Sequence, residues 1–328
     1  MTRAAILVGT FALLVAGCGG TASSPAPASS AASTAHPAAR PAQRSIALRV
    51  AARRTLPAPV QLPGLAAVDG RVLAAGGHDR ADTSVTSIVR VAPGAARRAG
   101  ALPLATHDIG AAALGHRVYL FGGGTASGPV DTITAVTPAG RTRVVGHLPV
   151  AMSDTTAVTL GTTIYVIGGY TTTTPLRSVL AFRPGHRIRE AAALPHPVRY
   201  AAAAAVGGRI LVAGGTTGTA ARREILSVDP VARRVRVLGR LPGPLAHAAG
   251  AALGTTFYVL GGRDDSLSGQ KRTIWAIDAR SGRRRRAGSL PTALSDLSAV
   301  TTGGRVVVVG GRDSGGGVHD EVLELAPR

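Results

Sequence analysis

The sequence predicts an all-β fold, a six-bladed β-propeller with four antiparallel strands per blade, and three observations carry that prediction. Glycine pairs recur at Gly76-Gly77, Gly122-Gly123, Gly168-Gly169, Gly214-Gly215, Gly261-Gly262 and Gly310-Gly311, in steps of 46, 46, 46, 47 and 49 residues. A Leu-Pro pair stands 20 residues ahead of each, at Leu56, Leu102, Leu148, Leu194, Leu241 and Leu290. Within every unit the apolar runs have strand length and end in turn residues. Two markers that keep one spacing six times define a repeat, and periods of this size belong to propellers or solenoids.

Each unit is expected to supply its strands in a fixed order. The first is built of small residues, as in 110–114 and 201–206, because blades are wedges and bulky side chains would overfill the hub. Alanine propensity alone would make 201–205 helical, but the same slot carries Val, Thr and Gly in other units. A short turn with Gly70, Gly115, Gly161, Gly207, Gly254 or Gly303 leads to a β-rich second strand such as 117–121, 163–167 or 305–309. A variable loop follows the glycines, then a third strand, as in 179–182 and 225–229. An Arg-rich fourth strand runs into the next Leu-Pro.

The last unit ends after its third strand, at 321–326, while residues 45–55 precede the first Leu-Pro in the position of a fourth strand. The N-terminal segment is therefore expected to complete the sixth blade, which hides both sheet edges.

The apolar run into each glycine pair, with tyrosine three positions before it at Tyr119, Tyr165 and Tyr258, resembles the kelch repeat over essentially all of residues 45–328. Two features depart from that family. Its fourth-strand tryptophan is absent, Trp275 belonging to a third strand. Its frequent arginine at the entry to the first strand is replaced by Val60, Thr106, Met152, Val198, Leu245 and Leu294. The resemblance implies the architecture; ligand recognition built on that arginine does not transfer.

Ahead of the repeats, Arg3 precedes an apolar run over 4–16 that is too short to span a bilayer as a mature helix. The run ends in Leu14-Val15-Ala16-Gly17-Cys18, which resembles a bacterial lipobox. That resemblance implies a signal peptide over 1–17, lipid attachment at Cys18 and an extracytoplasmic, membrane-anchored protein at the cell surface or in the periplasm. Residues 18–44, almost entirely Ala, Ser, Pro, Thr and Gly, read as a disordered tether. Cys18 is the one cysteine of the chain, so the repeats hold no disulfide, thiolate metal cage or cysteine nucleophile.

In such a blade the loops that lead into the first strand share a face with those that follow the glycine pair. Six residues after each Leu of Leu-Pro come Leu62, Asp108, Asp154, Tyr200, His247 and Asp296, and one position earlier stand residues that include His107 and Arg199. His107, Asp108, Asp154, Arg199, Tyr200, His247 and Asp296 are thus the candidate ligand-binding set at one channel mouth. They suit sugar hydroxyls or a hard divalent cation. The structural alternative is that each Asp or Ser caps backbone amides. The loops beyond add a mixed-charge rim, including His78, Asp82, Tyr170, Arg263 and Arg312.

Charge is uneven. The formal net charge is +20, and arginines gather on the fourth strands, which form the rim, and on the turns before them, which open on the face opposite the variable loops, as at Arg233-Arg234 and 283–286. Anionic lipid or an acidic wall polymer is the expected partner there, and a glycan or protein on the loop face. With 3% aromatic residues and an extracytoplasmic location, nucleic acid is not expected. No motif calls for a cofactor, a resident metal or more than a monomer, and neither a nucleophile elbow nor a phosphate loop is present.

A non-enzymatic binding or scaffolding module is the leading reading. The alternative is a carbohydrate-active enzyme of the mutarotase or epimerase type, because kelch propellers include a sialic-acid mutarotase and copper oxidases similar to galactose oxidase. The oxidase branch needs a cysteine joined to tyrosine, which this chain lacks. A mutarotase needs only a general acid/base pair, such as His247 with Asp296 or Asp108, and Arg199 for a carboxylate.

Overall fold

The computed structural model describes residues 47–92 and 94–328. The expected signal peptide over 1–17, the expected lipid attachment at Cys18 and the expected tether over 18–44 lie outside the described residues, as do the first two positions of the expected propeller.

The described residues form one compact unit. Six four-stranded antiparallel sheets follow one another, and no helix occurs among the described residues. In each of the first five blades the strands pair in chain order. Blade 3, for example, is Thr156–Leu160, Thr163–Ile167, Ser178–Phe182 and Arg189–Ala193. The sixth blade is Ser298–Thr302, Arg305–Val309 and Glu321–Pro327, completed by Leu48–Thr55 from the N-terminal end. Leu48 pairs with Pro327 and Thr55 with Glu321, so the ring is closed by the chain's own beginning, as expected. One element was not anticipated: Gly124–Thr125 and Gly128–Pro129 form a small ribbon in the blade 2 loop.

The inner strands converge where no bulk fits. A Cβ on Gly250 would come within 2.5 Å of both the N and the O of Ala203 in the neighbouring blade. Further out, apolar layers lie between successive blades. One joins Leu260 and Ile274 of blade 5 to Val306 and Leu323 of blade 6, with Leu48 of the closing strand among them. The repeat tyrosines Tyr119, Tyr165 and Tyr258 are buried in these layers.

The glycine pair has a steric and a hydrogen-bonding cause. In each blade the second glycine donates its N–H to a carbonyl in the loop entering the next blade, as Gly123 does to Met152 at 2.8 Å and Gly311 to Val60 at 3.0 Å. The first glycine adopts a positive φ and passes so close that a Cβ on Gly122 would lie 2.2 Å from the Met152 oxygen. The six accepting residues are those that replace the family's arginine; all are buried, which explains why none is charged.

Candidate functional site: a polar girdle at the channel mouth

The six entry residues turn the chain from each loop into an inner strand, and all six do so in the left-handed region, with φ between 53 and 59°. Asp and His tolerate this conformation better than most residues; Leu62 and Tyr200 hold it at a cost of about 1 kcal/mol or more each. Their backbones form a closed circle. Asp108 N–H donates to the Leu62 carbonyl, Asp154 to Asp108, Tyr200 to Asp154, His247 to Tyr200, Asp296 to His247 and Leu62 to Asp296, over 2.8 to 3.3 Å. One hydrogen bond per blade boundary therefore ties the ring at its mouth.

This circle brings Asp108, Asp154, Tyr200, His247 and Asp296 around one opening of about 90 Å³. Arg199 and His107 stand one residue outside it. The side chains pair with one another. Tyr200 Oη donates to Asp108 Oδ2 at 3.2 Å, and the Tyr200 ring stacks on His247 with centroids 3.8 Å apart. Arg199 forms an ion pair with Asp154 and lies 3.9 Å above the Tyr170 ring. His247 Nδ1 meets Asp296 Oδ1 at 2.5 Å, and Ser295 Oγ donates to Asp296 Oδ2 at 2.6 Å.

His107 takes Ser84 Oγ at Nδ1, at 2.8 Å, packs on the His78 ring and leaves Nε2 3.7 Å from Asp108 Oδ2. The carboxylates thus engage side chains of neighbouring positions, rather than capping backbone amides as the structural alternative supposed; the amides of the circle are satisfied by carbonyls. Asp108 Oδ1 is buried and has no hydrogen-bond partner.

Electrostatics follow from this packing. Burial, reinforced by the Asp154 and Asp296 charges, raises the Asp108 carboxyl well above the ordinary range. Burial and the same side's carboxylates raise the Tyr200 hydroxyl. Burial opposes ionisation of Asp296 too, but hydrogen bonds from His247 and Ser295 and the Arg263 charge outweigh it and hold that carboxyl below its usual value. Burial and the His78 imidazole hold His107 down at about 4. The girdle is therefore a set of mutually compensating groups, in which burial disfavours ionisation of Asp108 and His107 is neutral at neutral pH. Among the described residues no group of three or more His, Cys, Asp or Glu side chains is placed to hold a metal ion.

Arg263 and Tyr170 belong to the girdle and were read only as rim residues. Both directly follow a glycine pair, and in all six blades that position bridges to the residue preceding the circle: His78 to Gln61, Gly124 to His107, Tyr170 to Ser153, Thr216 to Arg199, Arg263 to Ala246 and Arg312 to Ser295. Position after the glycine pair was the available signal.

Inside the girdle runs a channel of about 390 Å³ walled by the small residues of the inner strands. Outside it, between the loops of blades 5, 6 and 1, lies a cleft of about 640 Å³ whose polar lining includes Gln61, His78, Asp82, Arg263, Gln270 and Arg312. A second cleft of about 310 Å³ sits between the loops of blades 4 and 5.

A closed six-bladed β-propeller with a polar girdle and loop clefts at one mouth is the class of protein these features define. The Kelch motif matches residues 151–187, the length of blade 3 from its entry loop to the turn before its outer strand. The motif match in one blade and the ring of six four-stranded blades together support a kelch-repeat propeller. No curated protein matches the chain.

Proposed function

We propose that this propeller is a non-catalytic binding or scaffolding module, anchored to a membrane through Cys18, that takes a polar ligand, a glycan or a protein segment on its loop face. The self-pairing of the girdle carries this reading. A sugar mutarotase or epimerase would need a free acid/base pair, whereas His247 is occupied at both nitrogens, by Asp296 and Arg263, and Arg199 is engaged by Asp154. What stands open to solvent is the cleft above, lined by guanidinium, imidazole, amide and hydroxyl groups suited to recognition. Leu267, on a loop lining that cleft, is 81% exposed, an apolar contact waiting at the rim.

Site-specific photo-crosslinking in the producing cells tests the reading. A photoreactive residue at Leu267 should give a discrete adduct, and one at Val231, on the opposite face, should not give the same adduct. Equal labelling from both positions would refute a loop-face binding site. Metabolic labelling with an alkynyl fatty acid, lost on Cys18→Ser, checks the anchor separately.

A further inference from the structure

The two faces of the ring differ in charge. Antiparallel alternation places the loops after the glycine pairs at the mouth, and the turns between first and second strands and between third and outer strands on the far side. Most of the 17 carboxylates stand on the mouth side, among them the girdle and the loop residues Asp79, Asp82, Asp264, Asp265 and Asp313. The far side is arginine-rich, most densely where blades 4 and 5 meet.

There the outer strand Arg234–Arg240 packs against the next blade's turn, so closely that a Cβ on Gly239 would lie 2.9 Å from the Gly282 oxygen. The strand Arg284–Ser289 then packs against the closing strand, a Cβ on Gly288 reaching within 2.8 Å of the Leu48 oxygen. Arg233, Arg234, Arg236, Arg283, Arg284 and Arg285 are exposed along this sector, and none forms an ion pair among the described residues. Its two nearby carboxylates are already engaged: Asp229 by Arg209 and Asp278 by the amides and hydroxyl of the turn that it caps. Between Asp229 and Arg233 the turn carries Val231, 88% exposed, an apolar tip beside guanidinium groups.

The chain also enters the propeller at this corner. Ala47 accepts a hydrogen bond from the Arg328 amide at 2.9 Å, at the far-side end of the closing strand. Twenty-eight residues lie between Cys18 and Ala47, a stretch whose full extension is at most about 100 Å. That length by itself does not decide which face meets the membrane, so the orientation is set by what the faces themselves attract.

We propose that the Arg-rich sector of blades 4 and 5 docks on the anionic phospholipid headgroups of a bilayer, with the Val231 turn at the interface and the girdle and loop clefts turned away from the membrane. The inference deepens the anchored-module reading and rests on it for the membrane's proximity. Guanidinium forks match phosphate oxygens, a small apolar tip flanked by basic residues suits the headgroup boundary, and the mouth side, where carboxylates pair with Arg199, Arg222, Lys271 and Arg312, offers the same surface less attraction.

The test uses the full chain reconstituted in vesicles that carry an energy-transfer acceptor on their headgroups. With Cys18 acylated, a fluorophore on Ala232→Cys reports the far side and one on Leu267→Cys the mouth side. In phosphatidylglycerol-containing vesicles transfer should be strong from position 232 and weak from 267. The difference should fade in pure phosphatidylcholine, at high salt, and in an Arg283→Gln, Arg284→Gln, Arg285→Gln variant that melts like the parent. Equal transfer from both sites, stronger transfer from 267, or a preference indifferent to lipid charge would overturn the proposal. So would an ordering that appears only with soluble polyglycerol phosphate, which would assign the sector to a wall polymer. If fatty-acid labelling finds Cys18 unmodified, the anchor reading fails by itself. Flotation of the protein with anionic vesicles, lost in the triple variant, then still supports the docking face, and its absence overturns it.

Discussion

The Arg263 guanidinium donates to Nε2 of His247 at 2.9 Å. An arginine has no acceptor, so Nε2 carries the lone pair and Nδ1–H points to Asp296. The imidazole thereby links a cation and an anion, and it has no nitrogen left for a ligand's proton. The same mutual pairing recurs at Arg199 with Asp154 and, through a hydrogen bond, at Tyr200 with Asp108.

Breaking one such pair should be costly. The Asp154 side chain is 3% exposed and its partner Arg199 is 22% exposed, so Arg199→Ala leaves a buried carboxylate alone and should destabilise by about 3 kcal/mol. Asp154→Asn in the same background should recover most of that loss in urea denaturation, because it removes the stranded charge.

The girdle should also shape stability against pH. His107 has a folded value of about 4 against 6.5 for the free side chain, so its contribution is whole above pH 6.5 and is lost as pH falls from there toward 4. His107→Gln, which can keep a contact to Ser84, should flatten the stability curve in that window. Asp108 works in the opposite sense. Its folded value is raised, so its contribution is present below the ordinary aspartate range and is lost as pH rises. Asp108→Asn should therefore be more stable than the parent at neutral pH and lose that advantage near pH 4, as read from denaturation midpoints.

Two glycines with the same backbone conformation should respond differently to alanine. At Gly161, with φ 61°, nothing lies within 4 Å of an added Cβ, and Gly161→Ala should cost about 1 kcal/mol of backbone strain. At Gly122, with φ 58°, the Cβ meets the Met152 oxygen at 2.2 Å. Gly122→Ala should exceed the first by more than about 2 kcal/mol and loosen the blade 2–3 boundary, as amide exchange of Gly123 would report.

The closing strand should hold the ring through its apolar contact rather than its ion pairs. Leu48 is 2% exposed within the blade 5–6 layer, so Leu48→Ala should cost about 2–5 kcal/mol. Arg53, 58% exposed beside Glu321, should cost under about 1 kcal/mol when replaced by Ala.

What the chain discloses without coordinates follows from what is repeated. The Gly76 to Gly310 series and its Leu-Pro partners mark strand ends at every turn of the ring, and the surplus strand at 48–55 matched the one missing after Pro327, so architecture and closure were legible. So was the ring position of Asp108, Asp154 and Asp296, which depends on register alone. The pairings were not legible. Whether Arg199 reaches Asp154 or a ligand depends on side-chain direction across a blade boundary, and the backbone circle through Leu62 and Tyr200 needs a left-handed conformation that neither residue type announces. Arg263 was visible as a loop residue, but its contact with His247 comes from a bridge between two loops far apart in the repeat.

The most direct measurement of a girdle that recognises without reacting is exchange NMR of sugar anomers, with N-acetylated and neutral hexoses, in the presence and absence of the protein. Interconversion rates should match those in buffer alone at every pH between 5 and 8. An acceleration proportional to protein concentration and abolished by His247→Ala would contradict this, and would make the channel mouth an active site.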